Sequence, residues 1–226
     1  MSRTIASLGL MVTILFAGLP ATAMDAADWT SQGGAVDEPG RNSIDVSIGF
    51  PSVSVTAKLP IVRHLEIDPF AEVFYWGKIN STEPLVGTLL GARLKINVLD
   101  RGSLQMALMA DLGAGAKFYP DTGFVLSLRF PQLVISGKVA EKVHVFGGMK
   151  VPIEVMVHPD FNLALTFAAN VGAEFILTDK IHLWVMVEGG PRLDWNVLKN
   201  PLPGDESFSV QLNGWFSTAV GVAARF

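Results

Sequence analysis

Residues 207–226 read SFSVQLNGWFSTAVGVAARF. The even positions are Phe208, Val210, Leu212, Gly214, Phe216, Thr218, Val220, Val222, Ala224 and Phe226. The odd positions are Ser207, Ser209, Gln211, Asn213, Trp215, Ser217, Ala219, Gly221, Ala223 and Arg225. One set is apolar and the other mostly polar or small, at a strict period of two. That is the alternation of a β-strand whose two faces meet unlike surroundings.

The same rhythm runs back through the chain. Leu104–Phe118 sets Leu104, Met106, Leu108, Ala110 and Leu112 against Gln105, Met109, Asp111 and Gly113. Segments beginning at Ile44, Leu65, Val86, Phe124, Val143, Phe161 and Ile181 do likewise. Short turns separate them, such as Asp100-Arg101-Gly102 and Thr178-Asp179-Lys180. Two segments change phase at a Phe-Pro step, Phe50-Pro51 and Phe130-Pro131. A bulge beside the proline explains both slips, and the recurrence favours it; at Phe50-Pro51 a tight turn between two short strands is the alternative. Nine segments result, or ten if the first divides at Pro51, or eight if it lies outside the sheet.

Half of the residues are hydrophobic and only 17% are charged. No segment after the N-terminus is an apolar run of the roughly 20 residues that a spanning helix needs. Apolar content spread through alternating strands of more than about 9–11 residues fits a barrel whose outer face meets lipid. There is no cysteine, and the net charge is -4. No basic face invites nucleic acid. The start, MSRTIASLGLMVTILFAGLPATA, has a basic residue, a short apolar run and a small-x-small site, so residues 1–23 are expected to be a signal peptide. Residues 24–43 are polar and turn-rich and read as a flexible lead-in, with a short plug or helix as the other possibility. Residues 44–226 are expected to form the barrel.

The terminal alternating strand that stops on Phe226, together with the leader, resembles the outer-membrane β-barrel proteins of Gram-negative bacteria. The class often has a second aromatic residue where this chain has Ala224. The resemblance implies an all-β, antiparallel, up-and-down transmembrane barrel of about 8–10 strands, integral to the outer membrane. It also implies two partners, outer-membrane lipid and the barrel-assembly machinery, the latter reading the last strand and Phe226. The class keeps both termini at the periplasmic side, which puts 78–84, 119–123, 158–160 and 199–206 outside. Tyr75, Phe118, Phe124, Phe161, Trp195 and Phe208 then form an aromatic girdle at the outer interface.

With the apolar faces outward, the other faces put Glu66, Asp68, Glu72, Arg93, Lys95, Asp111, Arg129, Lys150, Glu154, Glu174, Glu188 and Arg192 in the lumen. In a narrow barrel such charges must be paired, and a paired network is favoured over an open pore. The function expected is therefore a porin-like, non-enzymatic barrel, structural or passing small polar solutes. The alternative is a membrane-embedded hydrolase of lipid or peptide. Its candidates are His158, the one histidine on an outer loop, and Asp160 beside it, which also read as a tight polar turn. No H-x-S-N or G-x-S-x-G pattern supports a particular hydrolase. The scattered histidines and absent cysteines suggest no metal, and no cofactor is expected.

Overall fold

The computed structural model describes residues 29–75, 86–101, 103–119, 122–157, 161–197 and 208–226. Residues 1–28 with the expected leader, the expected loops 78–84 and 199–206, and 158–160 with His158 and Asp160 lie outside them.

Eleven strands follow one another with no helix among the described residues: β1 Ser43–Phe50, β2 Ser52–Val62, β3 Leu65–Phe74, β4 Val86–Arg101, β5 Leu104–Tyr119, β6 Gly123–Ala140, β7 Val143–Val157, β8 Phe161–Thr166, β9 Ala168–Thr178, β10 Ile181–Val197 and β11 Phe208–Arg225. Every pairing is antiparallel, and β8 and β9 occupy one position between β7 and β10, broken only at Phe167. The last strand returns to pair with the first, Ser43 opposite Arg225 and Phe50 opposite Thr218. Phe226 N–H then donates to the carbonyl of Asn42 at 3.0 Å. The sheet is thus a closed barrel of ten strand positions. An even number leaves both chain ends at one end of the barrel, called the near end below.

The two Phe-Pro steps have different fates. In β6 the strand continues through Phe130-Pro131, with register shifts against both neighbours there, as a bulge produces. At Phe50-Pro51 the bulge expectation fails. β1 and β2 pair with each other, Ile48 opposite Val53, so the step is the turn of a hairpin. The apolar sets on either side of Pro51 still face outward, because reversal of the chain about the turn restores the face.

The outer surface is apolar. Leu90, Leu112 and Leu212 are each more than 60% exposed, and Ile48, Val73, Leu108, Phe130, Val171, Val187 and Val220 are also exposed. What is buried lies inside, and much of it is charged: Asp45, Lys58, Glu66, Asp68, Lys95, Asp111, Glu174, Glu188, Arg192 and Asp194. Glycines on the inner wall make room for rings from neighbouring strands. A Cβ at Gly87 would strike the ring of Phe74, one at Gly172 that of Phe146, and one at Gly221 that of Trp184. In a lumen this narrow, a ring fits only where the facing residue has no side chain.

Residues Trp29–Asn42, in the stretch expected as a flexible lead-in, lie in the barrel's near end. Glu174 accepts from the backbone N–H groups of Ser31 and Gln32 at 2.7 and 3.2 Å. The Gly34 N–H donates to Ser136 Oγ at 2.8 Å, and Asn97 Nδ2 donates to the Gly34 carbonyl at 2.7 Å. Trp29 stacks on His182 with ring centroids 4.2 Å apart. The Arg225 guanidinium lies 5.3 Å from the Trp29 ring centre, and the Trp29 Nε1 donates to the Asp179 carbonyl at 3.3 Å. A Cβ on Gly34 would meet the Met106 backbone at 2.8 Å, so the plug passes close against β5 only as glycine.

Candidate functional site

The charged residues expected in the lumen lie on the inner faces of their strands, and most of them meet in ion pairs across strands. Near the plug, Lys95 meets Glu66 at 3.4 Å and Lys58 meets Asp45 at 3.8 Å. Asp68 lies within reach of the charges of Lys58, Arg93 and Lys95. Asp45 also accepts from Trp184 Nε1 at 2.9 Å and from Gln32 of the plug at 2.8 Å. Glu174 holds His182 at 2.6 Å as well as the plug backbone.

Above this layer, Arg93 grips Asp111 with two nitrogens, at 2.9 and 3.0 Å. Gln132 donates to the same carboxylate at 2.6 Å. Arg129 bridges Asp111, at 3.8 Å, and Glu72, at 2.8 Å. Lys150 meets Glu188 at 2.8 Å. Arg192 joins Asp194 at 2.9 Å to Glu154 at 3.1 Å, and Asn213 donates to Asp194 at 2.7 Å.

The far half of the lumen is divided. Against β3, β4, β6 and β7 it is filled by Phe70, Phe74, Leu89, Val125 and Met156. Beside that cluster, and reaching down to Asp45 and the plug's Gln32, lies a cavity of about 150 Å³. Glu72 and Glu154 line it, with Arg129, Lys150 and Arg192 and the hydroxyls of Ser52, Ser54 and Thr166. Ser52 is also hydrogen-bonded to Glu72. The two carboxylates are the least covered acids of the inner network, at 12% and 17% side-chain exposure against 5% or less for Asp45, Glu66, Asp111, Glu174, Glu188 and Asp194. The site therefore offers carboxylates able to accept or return a proton, beside cations able to hold an anionic group.

Of the histidines, His64 is exposed at the near end, and His144 and His182 are buried in the lower lumen. His158 and Asp160 lie outside the described residues. Among the described residues, no three His, Cys, Asp or Glu side chains gather as a metal site. The girdle residues Phe118, Phe124, Phe161 and Phe208 are exposed at the far ends of β5, β6, β8 and β11. Tyr75 is exposed just beyond β3, where its hydroxyl donates to the Gly49 carbonyl, and Trp195 of β10 is half-buried.

Sequence reading places the charges in the lumen but does not group Glu72 with Arg129, or Glu154 with Arg192. Each pair joins strands far apart in sequence, and alternation carries no information about partners. Nor does it find the tie between Glu174 and the plug. The available signal was the glycine spacing: inward-facing Gly87 and Gly91 beside inward-facing Phe70 and Phe74 mark the filled side of the lumen.

No family model matches the chain, and no curated protein matches it. Among solved structures, the chain is similar to the outer membrane protease OmpT from Escherichia coli, with 10% identity and a TM-score of 0.40 over 82% of this chain and 93% of that one. The likeness extends to the closed β-barrel alone. At that level it assigns no role. The lumen itself corrects one expectation, because plug residues, buried ion pairs and the apolar cluster stand in the path that a solute would have to take. The expectation of a porin-like, non-enzymatic barrel is withdrawn.

Proposed function

We propose that the mature chain is an integral outer-membrane protein of a Gram-negative bacterium, released from a leader at residues 1–23 and assembled through its last strand, and that it is a hydrolase. One observation carries the reading: a polar cavity in the lumen, floored by the plug's Gln32 and edged by the two least covered carboxylates of the interior with three cations beside them. A dead-ended polar chamber suits a reaction better than passage.

The chemistry is activation of water. One carboxylate, Glu72 or Glu154, takes a proton as the water oxygen bonds to the electrophilic carbon or phosphorus of the substrate. The bond to the leaving oxygen or nitrogen then breaks, and that atom receives the proton back. Arg129, Lys150 or Arg192 stabilises the negative charge that gathers at the centre.

The test is turnover of ester lipids, chromogenic esters and quenched peptides by the refolded chain from residue 24. Glu72→Gln or Glu154→Gln should lower the rate by roughly 10²–10⁴-fold with the barrel still folded. His158→Ala separates this site from the rim pair with Asp160. A rate lost in H158A but kept in E72Q and E154Q would move the chemistry to the rim. No turnover of any substrate class would end the hydrolase reading.

A further inference from the structure

From Trp29 to Ala35 every residue of the plug is buried except Gln32. Its side chain lines the cavity that holds Glu72 and Glu154. A second cavity, of about 60 Å³, lies between the plug and the wall. Ser31, Gln32 and Gly33 line it on the plug side, and Asp68, Val134 and Phe146 on the side of β3, β6 and β7. The two cavities share four lining residues, Gln32, Arg93, Lys150 and Met186. Those side chains are therefore the partition between them.

Three of the four belong to the wall. Arg93 is bound by Asp111 and Lys150 by Glu188, and Met186 lies on β10. Gln32 alone comes from the plug, and it is fixed at both ends. Its backbone N–H donates to Glu174 at 3.2 Å, and its Nε2 donates to Asp45 at 2.8 Å. Asp45 is itself held by Trp184 Nε1 at 2.9 Å. The backbone has no room to slide toward β6, since a Cβ on Gly33 would meet Ser136 Oγ at 2.6 Å. A side chain held at both ends between two chambers is a stop.

We infer that Gln32 sets the depth of the cavity, and so the length of the substrate group that the site accepts. It is a specificity-determining residue supplied by the N-terminal segment. The inference rests on the cavity being the reactive site. At about 30 Å³ for each water-sized group, a chamber of about 150 Å³ takes roughly five non-hydrogen atoms, and one of about 60 Å³ roughly two more. The substrate class is then an ester or amide of a short-chain acid, about four carbons and the carbonyl oxygen filling the space above Gln32. Beyond Gln32 the wall carries Met109, Val134 and Phe146, so an alkyl end would be accepted there once the stop is removed.

The refolded chain from residue 24 is titrated with straight-chain carboxylates from acetate to hexanoate. Binding is read from Trp215, which lines the cavity with Lys150 Nζ 5.7 Å from its ring centre. The Trp215 signal is the difference between chains with and without Trp215→Phe. Nitrophenyl esters of the same acids report turnover. In the parent, affinity and kcat/KM should fall beyond the four-carbon acid. Gln32→Ala should raise the ratio of the six-carbon to the four-carbon compound at least about tenfold. Gln32→Met, of the same length but without the amide, should keep the parent's ratio. Both variants leave Asp45 with Lys58 and Trp184, so the barrel should fold. Equal shifts in Q32A and Q32M would mean that the bond to Asp45 matters and not the length of the side chain, which overturns the inference. Ester turnover with an unchanged ratio in Q32A overturns it too and leaves the hydrolase reading standing. A shifted binding ratio without turnover of any substrate keeps Gln32 as the stop and ends the hydrolase reading. Neither binding nor turnover of any of these acids would overturn the inference.

Discussion

Asp111 is 1% exposed and binds two arginines and a glutamine from strands on either side of β5. Burial of such a cluster contributes little net stability, because desolvation offsets most of the Coulomb attraction. Removing Asp111 is another matter, since Arg93 loses its ion pair inside the barrel and Arg129 is left with Glu72 alone. Asp111→Ala should cost about 3–5 kcal/mol in urea unfolding of the protein in vesicles. A silent change would mean that water reaches Arg93 and Arg129 freely. Glu174 uses the same logic for a different end. It is 0% exposed and satisfies His182 together with two backbone N–H groups of the plug, so it couples the N-terminal segment to β9. That a carboxylate sits inward at each of these positions was legible from alternation. Which group it meets was not.

Among the elements, the two Phe-Pro steps show how one local signal supports two structures. At Phe130 a long strand continues and its neighbours absorb the slip; at Phe50 the chain reverses. Both preserve the period-two pattern, so only the pairing partners distinguish them. The hairpin makes β1 and β2 short, and the strand count becomes ten for the same reason. The outer faces, by contrast, were readable from the sequence, because every strand keeps the same apolar-out alternation whatever its neighbours. Leu108 of β5 is exposed on the apolar surface. Leu108→Arg should destabilise the barrel by roughly 2–4 kcal/mol if it lies near the bilayer midplane, read as a shift in the urea midpoint in vesicles. An unchanged midpoint would place β5 outside the hydrocarbon.

The whole molecule is an apolar cylinder around a charged interior, closed at its near end by its own N-terminal segment. The plug makes a prediction for conduction. The chain from residue 24 should give no discrete current steps in a planar bilayer, whereas a chain from residue 37 should give them. Silence from both would mean that the ion pairs and the apolar cluster block the lumen unaided. Steps from the intact chain would mean that the plug does not seal it. The sequence by itself determined the strands and their inward and outward faces, because each follows from side chains a few residues apart. Tertiary structure alone decided the closure of β11 on β1, the turn at Pro51, the seat of the plug, and the grouping of Glu72 and Glu154 with their arginines. Those depend on which distant strands lie side by side and in what register, and a period of two is the same whatever strand lies alongside.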